Sequence, residues 1–217
     1  LEEIASEKAA VIKPGRTVVL GEGTHEPNVE RVMRARCDAC GVVPWVVEHM
    51  VIELPVGIDS AVSFSTETAR STYEVSMHKP AYQPQNAACA IALAEGYLGR
   101  PLDASSLAVS LESCPIPGRF DVVRVEPFVL VDACHNPQSC ENFINAVREA
   151  EPEREARPVL LVAALSDKDV RGILDVLVPE FPRIVVSATA SDRALPAGEL
   201  AQLVYGELDA LNRPHTD

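Results

Sequence analysis

Asp132-Ala133-Cys134-His135-Asn136-Pro137 places a carboxylate, a thiol and an imidazole directly before a helix-start signal. Asn is a favourable N-cap and Pro suits a first helical turn, so the amides that follow point into the loop. A helix start of this kind favours an anion. Asp132 is then placed to accept from ribose hydroxyls, and His135 to meet a carboxylate or a phosphate. Plain capping beside a surface histidine accounts for the same residues, and the pattern alone leaves both readings open. Ser166-Asp167-Lys168-Asp169 follows a later apolar run in the same way. Lys168 reads either as a fixed cation for an acidic substrate or as part of an exposed, capped turn. Pro117-Gly118-Arg119 puts an arginine at a hinge, where its fork suits a phosphate. Two other patterns carry less. Cys37-Asp38-Ala39-Cys40, with His25 and His49 nearby, suggests zinc, but both cysteines fall inside a predicted helix and no second pair follows at ligand spacing. Gly21-Glu22-Gly23 lacks the third glycine of a dinucleotide loop, and Pro27 interrupts the turn.

The elements that must hold these residues alternate along the chain. Ile4, Lys8, Val11 and Ile12 recur at helical spacing, and Pro14-Gly15 ends that helix. A short strand over Thr17–Leu20 precedes a helix opened by Pro27, with Val29, Val32, Met33 and Cys37 on its apolar face and Gly41 as its stop. Strands are predicted over Val42–Val47, Val51–Leu54, Ala61–Phe64 and Thr72–Met77, then helices over Gln85–Leu98 and from Asp103 to Leu111. The pattern changes near Pro115-Ile116-Pro117-Gly118, where a domain boundary is placed. Beyond it, strands over Asp121–Val125, Phe128–Val131, Val159–Ala163 and Ile184–Ser187 are interleaved with helices over Pro137–Ala150, Asp169–Leu177 and Pro196–Leu211. Continuous apolar strands suit a parallel sheet covered on both faces. The expected class is α/β, with a small doubly wound domain in the second half that binds ligands at the carboxyl ends of its strands.

Composition bounds the rest. The 217 residues are 47% hydrophobic and 24% charged, ordinary for a chain that buries a core. Lys and Arg number 19 against 32 Asp and Glu, a net charge of −13 that argues against wrapping nucleic acid or binding an anionic membrane. No apolar run is long enough to span a bilayer and no signal peptide is visible, so the expected location is cytoplasmic. Six cysteines are too sparse for a disulfide scaffold and read as packed thiols.

Taken together and in order, the segments resemble the folylpolyglutamate synthase/dihydrofolate synthase family of the muramyl-peptide ligase superfamily. The resemblance rests on Ile4 through Gly15, on Gln83-Pro84-Gln85-Asn86-Ala87 and on Pro117-Gly118-Arg119-Phe120. It continues through Asp132 to Pro137, Asp167-Lys168-Asp169, and Arg193-Ala194-Leu195 with Glu199-Leu200-Ala201. It implies residues 1–117 as the trailing part of a central ATPase domain and residues 118–217 as a Rossmann-like C-terminal domain on the glutamate side. The implied reaction joins L-glutamate to a pteroate or folate carboxyl group, which ATP first phosphorylates. By position, Asn86, Arg119 and Asp132 would contact ATP. Lys8 matches a carbamylated lysine that helps to hold Mg2+; such chemistry needs a neutral amine, which burial favours. His135 would lie near the incoming glutamate. Lys168 is added as a glutamate or phosphate contact on its strand-end position and charge. The family resemblance also suggests a monomer.

Three departures accompany the resemblance. The family's phosphate-binding glycine loop and upstream magnesium ligands are missing, Pro80 and Tyr82 stand where a glycine and a histidine are usual, and Ala10 replaces a glycine. The family's Gly-Ser-rich closing segment is also missing. The expectation is therefore a piece of a longer protein, inactive alone. A sister ligase acting on a cell-wall precursor and a non-catalytic nucleotide-binding module are the alternatives.

Overall fold

A computed structural model describes residues 1–55, 57, 61–112 and 116–215. The chain divides into two compact units, Leu1–Pro55 with Asp59–Cys114, and Pro115–Asp217 with Val56–Ile58.

The first unit opens with α1 (Glu2–Ala9), β1 (Val19–Leu20), α2 (Pro27–Cys40) and β2 (Trp45–Val46). Residues 5, 9 and 12 follow helical spacing, and it is Ala5, Ala9 and Ile12 that are buried, while Ile4 and Val11 face solvent. The sequence placed Ile4 and Val11 on the apolar stripe; the small alanines instead let α1 approach α2. Pro27 starts α2, and Gly41, at φ 63°, takes the left-handed position that ends it. Its Cys37 and Cys40 pack with Ile12, Val18 and Leu20. Burial pushes the Cys37 thiol up, and Cys40 Sγ donates to the Ile12 carbonyl at 3.4 Å. Both are core thiols, and among the described residues no group of three or more His, Cys, Asp or Glu is arranged to hold a metal.

β1 and β2 pair in parallel. Pro44 confines the predicted strand over Val42–Val47 to two ladder residues, although the Val47 amide still donates to Leu20 O at 2.9 Å. The next three strands form an antiparallel meander, β3 (Glu48–Glu53), β4 (Val62–Glu67) and β5 (Thr72–Met77). Alternation along β4 and β5 turns Val62, Phe64, Tyr73, Val75 and Met77 onto one face. There they meet α3 (Pro84–Leu98) and α4 (Ala104–Glu112), through Ala87, Ile91 and Leu107. Glu95 of α3 is fully buried and accepts the Tyr73 hydroxyl, which in turn accepts the Leu102 amide at 2.8 Å.

The second unit contains β6 (Asp121–Arg124), β7 (Val129–Val131), α5 (Pro137–Ala150), β8 (Leu160–Val162), α6 (Val170–Leu177), β9 (Ile184–Val186) and α7 (Ala197–Ala210). The α/β class expected from the sequence is the one observed. Two details differ from an evenly alternating sheet. β6 and β7 form an antiparallel hairpin, β8 and β9 pair in parallel, and no ladder joins β7 to β8 among the described residues. Moreover, α5, α6 and α7 pack side by side on one face, where Val170, Leu174, Leu200 and Val204 meet Ile184 and Val186. On the other face Leu161 is 67% exposed and Val185 51%. The apolar runs therefore have one covered face, not two, among the described elements. No helix of the described residues is long and apolar enough to cross a membrane.

Candidate functional site

Asp132 directly follows β7, and both its oxygens are engaged by backbone. Oδ2 accepts the Phe120 amide at 2.8 Å and Oδ1 accepts the Cys134 amide at 2.8 Å. The turn that carries Arg119 is shaped by two left-handed residues, Gly118 at φ 69° and Phe120 at φ 46°. A buried aromatic residue pays a steric penalty in that region, so neighbouring contacts must hold it there. They include the Phe120 ring against Phe143, the Gly118 amide on Asp121 Oδ2 at 3.1 Å, and Ala133 N–H donating to Gly118 O at 2.8 Å. Two of the predicted residues, Arg119 and Asp132, are thus knitted into one assembly. Each Asp132 oxygen keeps a second lone pair for a further donor.

The helix start after Asp132 is built as the sequence indicates. Asn136 accepts the Ser139 amide at 2.8 Å, and Ser139 Oγ accepts the Asn136 amide at 3.2 Å, a reciprocal capping box. His135 is exposed, and its Nδ1 lies 3.1 Å from Ala133 O. A carbonyl only accepts, so Nδ1 carries the proton there and neutral His135 keeps its lone pair on Nε2. A hydrogen bond to Cys140, then burial and the nearby Asp132 charge, push the Cys134 thiol up.

Lys168 follows β8 and sits 3.8 Å from Asp167 Oδ2. Asp167 also pairs with Arg193, which lowers its pKa. The loop is further anchored by the Ser166 amide on Arg193 O at 2.8 Å, and Asp169 caps α6 through the Gly172 amide at 3.1 Å. Asp132, His135 and Lys168 all line one cavity of about 570 Å³ at and below the carboxyl ends of β7 and β8. This is the place where open α/β sheets hold ligands.

Two further predicted residues, Lys8 and Asn86, belong to the first compact unit. Asn86, in the first turn of α3, donates to the Gln83 side chain at 3.1 Å. Lys8 ends α1 with its side chain 68% exposed, 3.4 Å from Glu7. The burial expected to neutralise its amine is not supplied by the residues around it, and Glu7 alone is no oxygen cage for magnesium. Sequence reasoning missed Asp121 as a support of the Arg119 turn and gave Arg193 no role. Arg193 meets its partner across 26 residues of chain, a separation that no local spacing reports.

With this geometry in hand, residues 118–215 match the Mur ligase, glutamate ligase domain. The chain as a whole is similar to the C-terminal portion of the folylpolyglutamate synthase/dihydrofolate synthases. A dihydrofolate synthase/folylpolyglutamate synthase of Mycobacterium tuberculosis is 35% identical over 139 residues, covering 62% of this chain and 28% of the relative. The folylpolyglutamate synthase of Lacticaseibacillus casei is 27% identical over 215 residues, covering 94% of this chain and 48% of the relative. A solved M. tuberculosis folylpolyglutamate synthase, complexed with ADP and AMPPCP, superposes with a TM-score of 0.84 at 27% identity, over 100% of this chain and 49% of that one. The chain spans about half the length of such relatives or less.

Proposed function

We propose that this chain is part of an ATP-dependent ligase that joins L-glutamate to dihydropteroate or to a folyl-(poly)glutamate, acting as a monomer in the cytoplasm. The observation that carries this reading is the convergence of Asp132, His135 and Lys168 on one strand-end cavity within a domain of glutamate-ligase type. The solved relative complexed with ADP and AMPPCP supports ATP as the activating substrate.

In this reading a folate carboxylate oxygen attacks the γ-phosphorus of ATP and ADP leaves. The glutamate amine then attacks the acyl carbon, the C–O bond breaks, and phosphate departs as the amide forms. Arg119 and Asp132, with Asn86, are the candidate nucleotide contacts, the guanidinium for phosphate and the carboxylate for ribose hydroxyls. Lys168 supplies a cation for a glutamate carboxylate. His135, with its lone pair on Nε2, accepts the proton that the incoming ammonium must lose before it becomes a nucleophile. Magnesium enters as the counter-ion of the ATP phosphates, and no step is assigned to a carbamylated Lys8.

The test is ADP release by the full-length gene product with ATP and magnesium, adding glutamate and dihydropteroate or tetrahydrofolate separately and together. Release that needs both co-substrates, and that collapses in Arg119→Ala or Asp132→Ala, supports the reading. A folded protein that binds ATP but releases no ADP with any folate refutes it. Turnover with cell-wall precursors would then identify a sister ligase, and binding without turnover a non-catalytic module. Light scattering checks the monomer.

A further inference from the structure

Cys134 and Cys140 bracket the turn that carries His135 and the cap of α5, and the reaction proposed above uses neither thiol. Cys134 is half-buried and lines the strand-end cavity, whereas Cys140 is fully buried at the start of α5. Both are free thiols, and they are hydrogen-bonded to each other. The helix cap itself brings them together. Ser139 is the third residue of α5 and Cys140 the fourth, the position onto which the chain ahead of an N-cap folds back. The Asn136–Ser139 capping box and the Cys140 amide on Asn136 O at 3.0 Å fix that return. Cys37 and Cys40 offer the contrast, since they are packed in a core with Ile12, Val18 and Leu20.

The same turn holds the candidate nucleotide contacts. Cys134 N–H donates to Asp132 Oδ1 at 2.8 Å, and Ala133 N–H donates to Gly118 O at 2.8 Å, beside Arg119. His135 Nδ1 meets Ala133 O at 3.1 Å. A displacement of Cys134 therefore reaches Asp132, the Arg119 turn and His135 together.

We propose that Cys134 and Cys140 form a dithiol modification site, which a hydroperoxide oxidises to a disulfide that loosens the Asp132 turn and reversibly lowers ligase activity. The effect on activity rests on the ligase reading given above; the chemistry at sulfur does not. Cys134 Sγ, at the cavity, attacks one oxygen of hydrogen peroxide. The O–O bond breaks, Cys134 becomes a sulfenic acid, and the departing hydroxide leaves as water with the thiol proton. Cys140 Sγ then attacks the Cys134 sulfur, the S–O bond breaks, and a second water carries off the Cys140 proton. Two thiols lose two electrons in all, and the peroxide gains them. The hydrogen bond from Cys134 pulls the Cys140 thiol down, which suits Cys140 to the second attack.

A disulfide sets its sulfurs about 2 Å apart, closer than hydrogen-bonded thiols stand. Cys140 is anchored in α5, with Ile144 buried one turn further on, so the Cys134 side gives way. Its amide is drawn off Asp132 Oδ1, and the turn loses one of the bonds that hold Asp132. In a reducing compartment such a disulfide is transient, as a switch requires.

The test treats the full-length gene product with hydrogen peroxide, then denatures it in a thiol-alkylating maleimide. Trypsin releases Val125–Arg148 as one peptide that carries Cys134 and Cys140 and no other cysteine. After peroxide this peptide is expected unalkylated and lighter by two hydrogens, and after dithiothreitol it is expected doubly alkylated. In the disulfide form kcat/KM for ATP should fall at least about fivefold, and the Cys134 amide should exchange at least about tenfold faster. Dithiothreitol should restore both. Cys134→Ser should keep its activity through the same treatment, and Cys140→Ala serves in its place if that variant does not fold. Double alkylation after peroxide overturns the proposal, as does sulfinic acid at either cysteine in place of the disulfide. So does an equal loss of activity in Cys134→Ser, or a disulfide that changes neither kcat/KM nor amide exchange. A product that releases no ADP with any folate defeats the ligase reading alone, because the peptide mass and the Cys134 amide still decide on the disulfide.

Discussion

Asp132→Asn is the substitution that separates the site's architecture from its chemistry. The amide is isosteric with the carboxylate, so packing is unchanged, yet it presents one acceptor where the native side chain presents two. The carboxylate accepts Phe120 N–H and Cys134 N–H, each at 2.8 Å. Whichever way the amide is turned, its NH2 group faces one of those donors. Hydrogen bonds to a charged partner contribute about 1.5–3 kcal/mol and neutral ones about 0.5–1.5 kcal/mol. Losing one bond and weakening the other therefore costs roughly 2–3 kcal/mol, partly offset where the freed amide reaches water. Phe120 has a backbone conformation that needs such support, so the Arg119 turn opens first. Read as local opening, the loss corresponds to roughly 30- to 150-fold faster exchange of the Phe120 or Cys134 amide. The Ile144 amide in the middle of α5 serves as the reference and should not change. Exchange altered less than about threefold at both amides would refute the assignment of Asp132 as the clamp of this turn. A uniform change across the unit would refute it equally, because it would report global stability instead.

Arg157 is only 4% exposed and donates to Glu151 O, Pro152 O, Glu180 O and Glu180 Oε2. Arg157→Ala should lower stability in urea by about 3–5 kcal/mol, and Arg157→Lys should recover less than half, since an ammonium cannot span the fork. Glu180 is held below its ordinary 4.5 by Arg148 first and Arg157 second. Its contribution is present above that value and is lost as pH falls through the lower folded one, so Glu180→Gln should flatten the acid limb of a stability profile below about pH 4.5. A limb of unchanged slope would count against it. The Asp103 carboxyl, which accepts from Ser105 and Ser106 at the start of α4, should titrate at about 2 by carbon NMR, and a midpoint near 3.8 would show the cap to be open. Gly96→Ala sets two effects against each other. Alanine gains about 1 kcal/mol of helix propensity, but its Cβ would come within 2.5 Å of Thr17 Cγ2 and 2.9 Å of its hydroxyl. Overpacking costs about 1–3 kcal/mol, so the net sign is destabilising, and a raised unfolding midpoint would contradict it.

What the sequence made legible was local. Asn136 before Pro137, Gly41 after Cys40 and Asp103 before α4 each act within four residues, and each takes the capping role their types suggest. The placement of Asp132, His135 and Lys168 at strand ends followed from alternation alone and holds in the fold. Pairings over longer distances were not legible. Asp132 meets Phe120 across 12 residues and Asp167 meets Arg193 across 26, and nothing in either neighbourhood selects the partner. Lys8 shows the same boundary from the other side. Helical spacing put it on α1, but its exposure depends on what else packs there, and the small Ala5 and Ala9 turned inward in place of Ile4.

The run Val159–Ala163 is the sharpest case. Its apolar continuity states correctly that a strand forms, and it carries no information on which strand lies beside it. A sequence prescribes a strand through its side chains, whereas a ladder is a demand of the backbone, identical at every residue. Leu161 therefore reads as a core residue in the sequence and is solvent-exposed in the fold, beside an edge that the described residues leave unpaired. Side-chain pattern and backbone ladder are thus separate constraints, and the sequence of this run reports only the first.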